Sequence, residues 1–175
     1  PLNDAQMDNL FGTSGLQFGL TLLRMRIPPD GNYAACVTDG QRAHARGARL
    51  LASPWTPPPA LKSNNNAIHG SLLPEHYADY VAHLNGFIST MAAAGAPLSV
   101  ISLQNEPDFD PPDYEGCQWS AEQFRIFCRD FAGDIQAPVM MPESYAFKQP
   151  ICDATLNDPA AAAHVPYVGG HLYGA

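Results

Sequence analysis

The sequence predicts an α/β fold built on a parallel sheet, and three observations carry that prediction. Strand-like apolar runs alternate with helix-like segments along the whole chain. The run at 98–103 is almost continuously apolar, as suits a strand buried on both faces of a parallel sheet. Polar and aromatic residues gather just behind the strands, before the helices begin. In parallel α/β folds those carboxyl ends share one face, where ligands bind.

Each element follows from local chemistry. Residues 2–11 read as a short helix, with Asn3 and Asp4 offering cap oxygens and Gly12 as the stop. Residues 20–27 form an apolar run holding Arg24 and Arg26, and Pro28-Pro29-Asp30-Gly31 turns the chain away. A modest helix is expected over 41–48 and a short strand over 49–53. In Pro54-Trp55-Thr56-Pro57-Pro58-Pro59 the missing N–H groups and fixed φ angles force a stiff loop. The strongest helix spans 74–94, where Tyr77, Val81, Leu84, Ile88 and Met91 recur at three- and four-residue spacing before Gly95. Ser120 caps the next helix, with Gln123 in capping-box position. Phe124, Phe127, Cys128 and Phe131 form its buried stripe, and Gly133 ends it. Residues 138–141 form a strand running into Pro142-Glu143-Ser144-Tyr145. Residues 151–163 are helical in parts, and 167–173 form the last strand. Right-handed βαβ units joined in this way give a parallel sheet. An open doubly wound sheet and a barrel fragment both fit this pattern.

Size and composition narrow the classes. The 175 residues suffice for one core; a complete (β/α)₈ barrel takes about 250, so a barrel reading places part of it outside this chain. A formal charge of −8 with nine basic residues argues against nucleic acid. No apolar run is long enough to span a membrane. Neutral polysaccharides remain compatible with an acidic surface. Cys36, Cys117, Cys128 and Cys152 are too scattered for a zinc site; buried free thiols or one or two disulfides are both open. His69, His76, His83 and His164 lack ligand spacing. Asp108, Asp110 and Asp113 sit in a proline-broken stretch without the closing glutamate of a calcium loop. No metal or other cofactor is predicted. The chain opens at Pro1, so a missing signal peptide says nothing of the compartment.

The chemistry-bearing residues follow strands: Ser53-Pro54-Trp55, Gln104-Asn105-Glu106-Pro107, Glu143-Ser144-Tyr145 and His171-Leu172-Tyr173-Gly174. Aromatic faces suit the C–H surfaces of pyranose rings, amides and carboxylates bind hydroxyls, and a carboxylic acid can protonate a leaving oxygen. Glu106 is the sharpest candidate. It follows a buried strand, and a carboxyl partly shielded from water favours its protonated form. A plain ion pair with an arginine at the strand mouth is the competing reading. Asn105 could bind a sugar hydroxyl. Trp55, in its proline-locked loop, could be a sugar platform or a core aromatic. His171 could touch substrate or simply be a satisfied strand-end histidine. Ser144 and Tyr145 are expected to shape the cleft floor, and Trp119 to pack a loop over the rim.

The stretch Ser99-Val100-Ile101-Ser102-Leu103-Gln104-Asn105-Glu106-Pro107-Asp108-Phe109 resembles the fourth-strand signature of clan A glycosidases, and more narrowly glycoside hydrolase family 30, especially its glucuronoxylanase-like xylanases. Leu22-Leu23-Arg24-Met25-Arg26-Ile27, Ser53-Pro54-Trp55-Thr56-Pro57-Pro58, Pro142-Glu143-Ser144-Tyr145, Leu156-Asn157-Asp158-Pro159 and Gly170-His171-Leu172-Tyr173-Gly174 agree in order and spacing. The resemblance implies that residues 1–175 are one incomplete (β/α)₈ TIM-barrel catalytic domain, about strands two to six. The first strand, the last two strands and an attached β-sandwich would lie outside it. It also implies retaining hydrolysis of xylan or glucuronoxylan by a secreted enzyme that is monomeric when complete. Glu106 would be the general acid/base and Asn105 its neighbour. Trp55, His171 and Tyr173 would line the subsite of the sugar being cleaved. Arg24 would steady the nucleophile, a glutamate on the seventh strand that this chain does not contain. Glu143 would then be a supporting residue, and the chain alone would hydrolyse little or nothing.

Three other readings compete. A β-1,6-glucanase or another β-glycosidase of the same family differs in loops outside this chain. A non-catalytic carbohydrate-binding remnant would keep the aromatic cleft without a nucleophile. A dinucleotide-binding domain fits the βα alternation, but the glycines of Gly12-Thr13-Ser14-Gly15 follow a helix instead of a strand.

Overall fold

The strands pair in strict chain order, all parallel, and this separates the two architectures the sequence left open. A doubly wound sheet reverses its strand order at a switch point. Here every crossover steps the same way, as in the wall of a barrel. The computed structural model describes residues 1–173; Gly174, the last residue of one sequence motif, lies outside them. The strands are β1 (Leu22–Ile27), β2 (Arg49–Pro54), β3 (Val100–Ser102), β4 (Val139–Ser144) and β5 (Tyr167–Gly170). Between them run α1 (Asp4–Phe11) ahead of β1, then α2 (Ala34–His44), α3 (Tyr77–Ala93), α4 (Ala121–Asp130), α5 (Pro150–Leu156) and α6 (Pro159–Ala162).

Several boundaries move from their sequence positions, each for a physical reason. The second helix runs over Ala34–His44 instead of 41–48. Thr38, Asp39 and Gly40 are weak helix formers that hide it, and Gly40 lies close against α3: a Cβ there would stand 2.5 Å from Cε at the flexible end of Met91. The chain unwinds at Gly47, at φ +88°, where glycine has no steric penalty. At α4 only half of the capping box forms. Ser120 accepts from the Gln123 amide, but the Gln123 side chain donates to the Leu72 carbonyl. The complete box is at α1, between Asn3 and Gln6. The last strand stops at Gly170, where a Cβ would meet Phe147 at 2.4 Å.

The core lies between the sheet and its helices. Ile27, Leu50, Ile101, Leu103 and Met141 meet Tyr80, Leu84, Phe87 and Met91 of α3 and Phe124, Phe127 and Cys128 of α4. Trp119 is buried against α3 and α4, stacked on Phe124 at 4.8 Å and edge-on to Phe127. All four cysteines are free thiols, with Cys117, Cys128 and Cys152 buried. Burial pushes the Cys117 thiol up to about 11 and that of Cys128 up to about 12, so both are inert packing groups. No helix among the described residues is long and apolar enough to cross a membrane.

Candidate active site

Parallel pairing brings the ends of β1 to β5 to one rim, and the site is assembled there from short, strained connections. Two carboxylate residues sit in left-handed backbone, Glu106 at φ +47° and Glu143 at φ +55°. Non-glycine residues in that region cost free energy and concentrate at functional sites. For Glu143 the cause is visible. Pro142 pairs with Gly169 and Ser144 with Gly170, so Glu143 is the extra residue of a β-bulge, and a bulge re-aims its side chain. The two strained segments are joined, because the Glu106 amide donates to the Glu143 carbonyl at 3.0 Å.

A cavity of about 320 Å³ opens on this rim, lined by Arg24, Trp55, Asn105, Glu106, Tyr114, His171 and Tyr173. All six site residues singled out in the sequence are therefore neighbours in space. A larger hollow of about 610 Å³ lies along the unpaired edge of β1, lined by residues such as Leu23, Arg26, Pro29 and Glu115. It shares Arg24 with the cleft but does not reach Glu106, so the smaller cavity holds the chemistry. Among the described residues, Glu106 is the one carboxylate lining that cavity.

Beneath the cleft floor Glu143 is a hub, with its side chain 2% exposed. Its Oε1 accepts from Arg24 Nε at 2.7 Å and from Ser53 Oγ at 3.0 Å, and lies 3.3 Å from His171 Nε2. Arg24 also donates to Asn105 Oδ1 at 2.5 Å. On its other side, His171 Nδ1 lies 2.7 Å from Glu106 Oε1. The competing sequence reading of Glu106, an ion pair with an arginine, is not what forms: its partner is the imidazole. Aromatic rings bound the cleft. Trp55 and Tyr114 are tilted to each other at 6.2 Å, and Tyr173 packs at 5.1 Å from His171 and 5.5 Å from Tyr145. Asp108 accepts from Ser144 Oγ and from the Tyr145 amide, both at 2.9 Å, and Phe109 stacks on Tyr145 at 4.6 Å. Those contacts fix the loop after Glu106 to the end of β4.

No protein-family model matches the chain. The glucuronoxylanase of Bacillus subtilis is 35% identical over 178 residues, covering 99% of this chain and 41% of that protein. A solved glycoside hydrolase family 30 subfamily 8 xylanase from Clostridium acetobutylicum superposes with a TM-score of 0.93 at 41% identity, covering 99% of this chain and 47% of the xylanase. The chain is homologous to the xylanases of glycoside hydrolase family 30. It spans less than half the length of these relatives. An endo-1,6-β-D-glucanase of Neurospora crassa is 26% identical over 101 residues, covering 55% of this chain and 21% of that protein.

The electrostatics of the cleft turn on His171. Both ring nitrogens face carboxylates, and only the doubly protonated imidazolium can donate to both. Its pKa is raised, first by the bond to Glu143, with burial opposing and Glu106 adding to the rise. Burial alone would push the Glu143 carboxyl up, but His171, Arg24 and the neighbouring serines outweigh it and hold the group below its ordinary value. Glu143 is thus a buried carboxylate held through Oε1, while its Oε2 has no hydrogen-bond partner among the described residues.

Sequence reasoning missed Tyr114 as a lining residue, because its loop carries no strand-end position to flag it. It also missed Ser53 as a ligand of Glu143. Arg24 was expected to steady a nucleophile; among the described residues its partners are Glu143 and Asn105.

Proposed function

We propose that this segment supplies the acid/base side of a retaining endo-β-1,4-xylanase site acting on xylan or glucuronoxylan, in an exported enzyme. One observation carries the reading: a single carboxyl group, Glu106, projects into an aromatic-walled cleft while hydrogen-bonded to the His171 imidazole at 2.7 Å. In the first step Glu106 delivers a proton to the bridging oxygen as the bond from that oxygen to the anomeric carbon breaks. A second carboxylate, outside the described residues, closes on the anomeric carbon to form the glycosyl-enzyme. In the second step Glu106 takes a proton from water as the water displaces that carboxylate. Trp55 and Tyr173 offer ring faces to the sugars, and Asn105, fixed by Arg24, presents its amide to a hydroxyl.

Glu143 is a poor candidate for the second carboxylate, since it lies beneath the cleft with Oε1 already engaged by Arg24 and Ser53. The isolated chain is therefore expected to release no reducing sugar from xylan above the blank. Clear turnover by the purified chain would contradict this assignment.

Binding tests the site directly. In an NMR titration with xylohexaose, shifts are expected at Trp55, Asn105, Glu106 and Tyr173, and Trp55→Ala should weaken binding about 10- to 100-fold, on the order of one stacked aromatic hot spot. Shifts confined to other surfaces would remove the assignment. A second reading, β-1,6-glucan hydrolysis, is favoured by the likeness to the Neurospora enzyme. Stronger binding of β-1,6-gluco-oligosaccharide than of xylohexaose would decide for it.

A further inference from the structure

Among the described residues, the one buried cationic side chain is a lysine. Lys62 is 3% exposed. Its Nζ donates to Thr56 Oγ1 at 2.8 Å, the Gly116 carbonyl at 2.7 Å and the Ala67 carbonyl at 3.1 Å. An ammonium has three protons, so every one is matched, and every acceptor is a neutral oxygen. Lysine is almost never buried without an anionic partner, because taking the charge out of water is costly. Burial duly pushes the Lys62 ammonium below its ordinary value, against the weaker pull of Cys117, Glu115 and Asp110. An apolar side chain of the same length would avoid that cost, so packing does not explain a lysine here.

Where two of the three acceptors sit does explain it. Thr56 directly follows Trp55, and Gly116 lies two residues beyond Tyr114; these two aromatics stand together in the cleft. The Trp55 loop is also held to the end of β3, where Gln104 Nε2 donates to the Trp55 carbonyl at 2.7 Å and the Asn105 amide to the Pro54 carbonyl at 2.9 Å. Neither bond reaches the Tyr114 loop. The Gly116 amide donates to Ala67 at 3.1 Å, the Gln118 amide to Gly70 at 2.9 Å, and Glu115 pairs with Arg26. Those bonds join the Tyr114 loop to the segment following Lys62 and to β1. Among the described residues, the polar side chain that bonds both the Trp55 loop and the Tyr114 loop is Lys62.

We propose that Lys62 is a positioning residue: its ammonium clasps the loop of Trp55 to the loop of Tyr114 and so sets the gap between the rings that wall the cleft beside Glu106. This rests on the cleft being a sugar site, but the clasp itself can be read without any sugar. The chain has two tryptophans, and labelling with 5-fluorotryptophan gives one fluorine signal for Trp55 and one for the buried Trp119. In Lys62→Met the Trp55 signal is expected to shift and broaden while the Trp119 signal stays in place. Affinity for xylohexaose should fall about tenfold as a pre-organised wall becomes loose.

A purely structural lysine predicts the opposite pattern, a lower Tm with both fluorine signals and the Kd unchanged, and that result would overturn the proposal. Should Lys62→Met fail to fold, Thr56→Val decides, since it removes only the acceptor on the Trp55 loop. An unmoved Trp55 signal in that variant, or loss of the fold in both, also sinks the idea. If the unsubstituted chain binds no sugar while Trp55 responds to both substitutions, the clasp stands and the sugar-site reading fails.

Discussion

In a polypeptide that joins this segment to a strand bearing the second carboxylate, Glu106→Gln is expected to lower kcat on xylan about 10²- to 10⁴-fold, the usual contribution of a positioned general acid/base. The glutamine keeps the shape and an oxygen for His171, so the cleft should remain assembled and the oligosaccharide Kd should change little. A glycoside whose leaving group is already a weak base needs no proton. With a dinitrophenyl xyloside the first-step burst should therefore survive the substitution, while the second step, which needs a base to activate water, slows. A structural role for Glu106 would lower both steps together, or weaken binding. Near-full xylan turnover in the variant would take the acid/base role from Glu106 altogether. A proton source stands beside the group, with His171 Nδ1 2.7 Å from Glu106 Oε1.

Much of the architecture was legible because it rests on local rules. The helix of Tyr77, Val81, Leu84, Ile88 and Met91 follows from its spacing, and these residues are buried in α3. The grouping of Arg24, Trp55, Asn105, Glu106, His171 and Tyr173 follows from one topological fact, that parallel strands place their carboxyl ends together. What resisted reading depends on partners distant in the chain. Gly40 looks like a helix breaker until Met91 of α3 is seen against it. The half-formed cap at Ser120 arises because Leu72, far upstream, competes for the Gln123 side chain. Glu143 reads only as a strand-end glutamate; the bulge that turns it under the cleft depends on the register of β4 against β5. Lys62 looks like any loop lysine, and only the fold buries it.

Removal of the Glu143 carboxylate should be the most destabilising change at the rim. Glu143→Ala leaves Arg24 and His171 facing a void without their shared anion, and breaking a buried ion pair from one side costs about 3–5 kcal/mol. Arg24 and His171 keep side-chain exposures of 33% and 17%, so water recovers part of that loss and the lower end, about 3 kcal/mol, is expected. Urea unfolding measures it, and a loss below about 1 kcal/mol would mean that the network is no stronger than a surface pair. The pH dependence supplies an independent check. The pKa of Glu143 is held below 4.5 in the folded chain, so its contribution is complete above pH 4.5 and is lost as pH falls through the lower folded value. The pKa of His171 is raised above 6.5, so its contribution is complete below pH 6.5 and is lost as pH rises through the higher folded value. Both contributions are whole only between pH 4.5 and 6.5. The stability gap between the unsubstituted chain and Glu143→Ala should be widest in that window and should narrow on either side. A gap that stays constant from acid to alkaline pH would show that the alanine acts through the lost packing volume and not through charge.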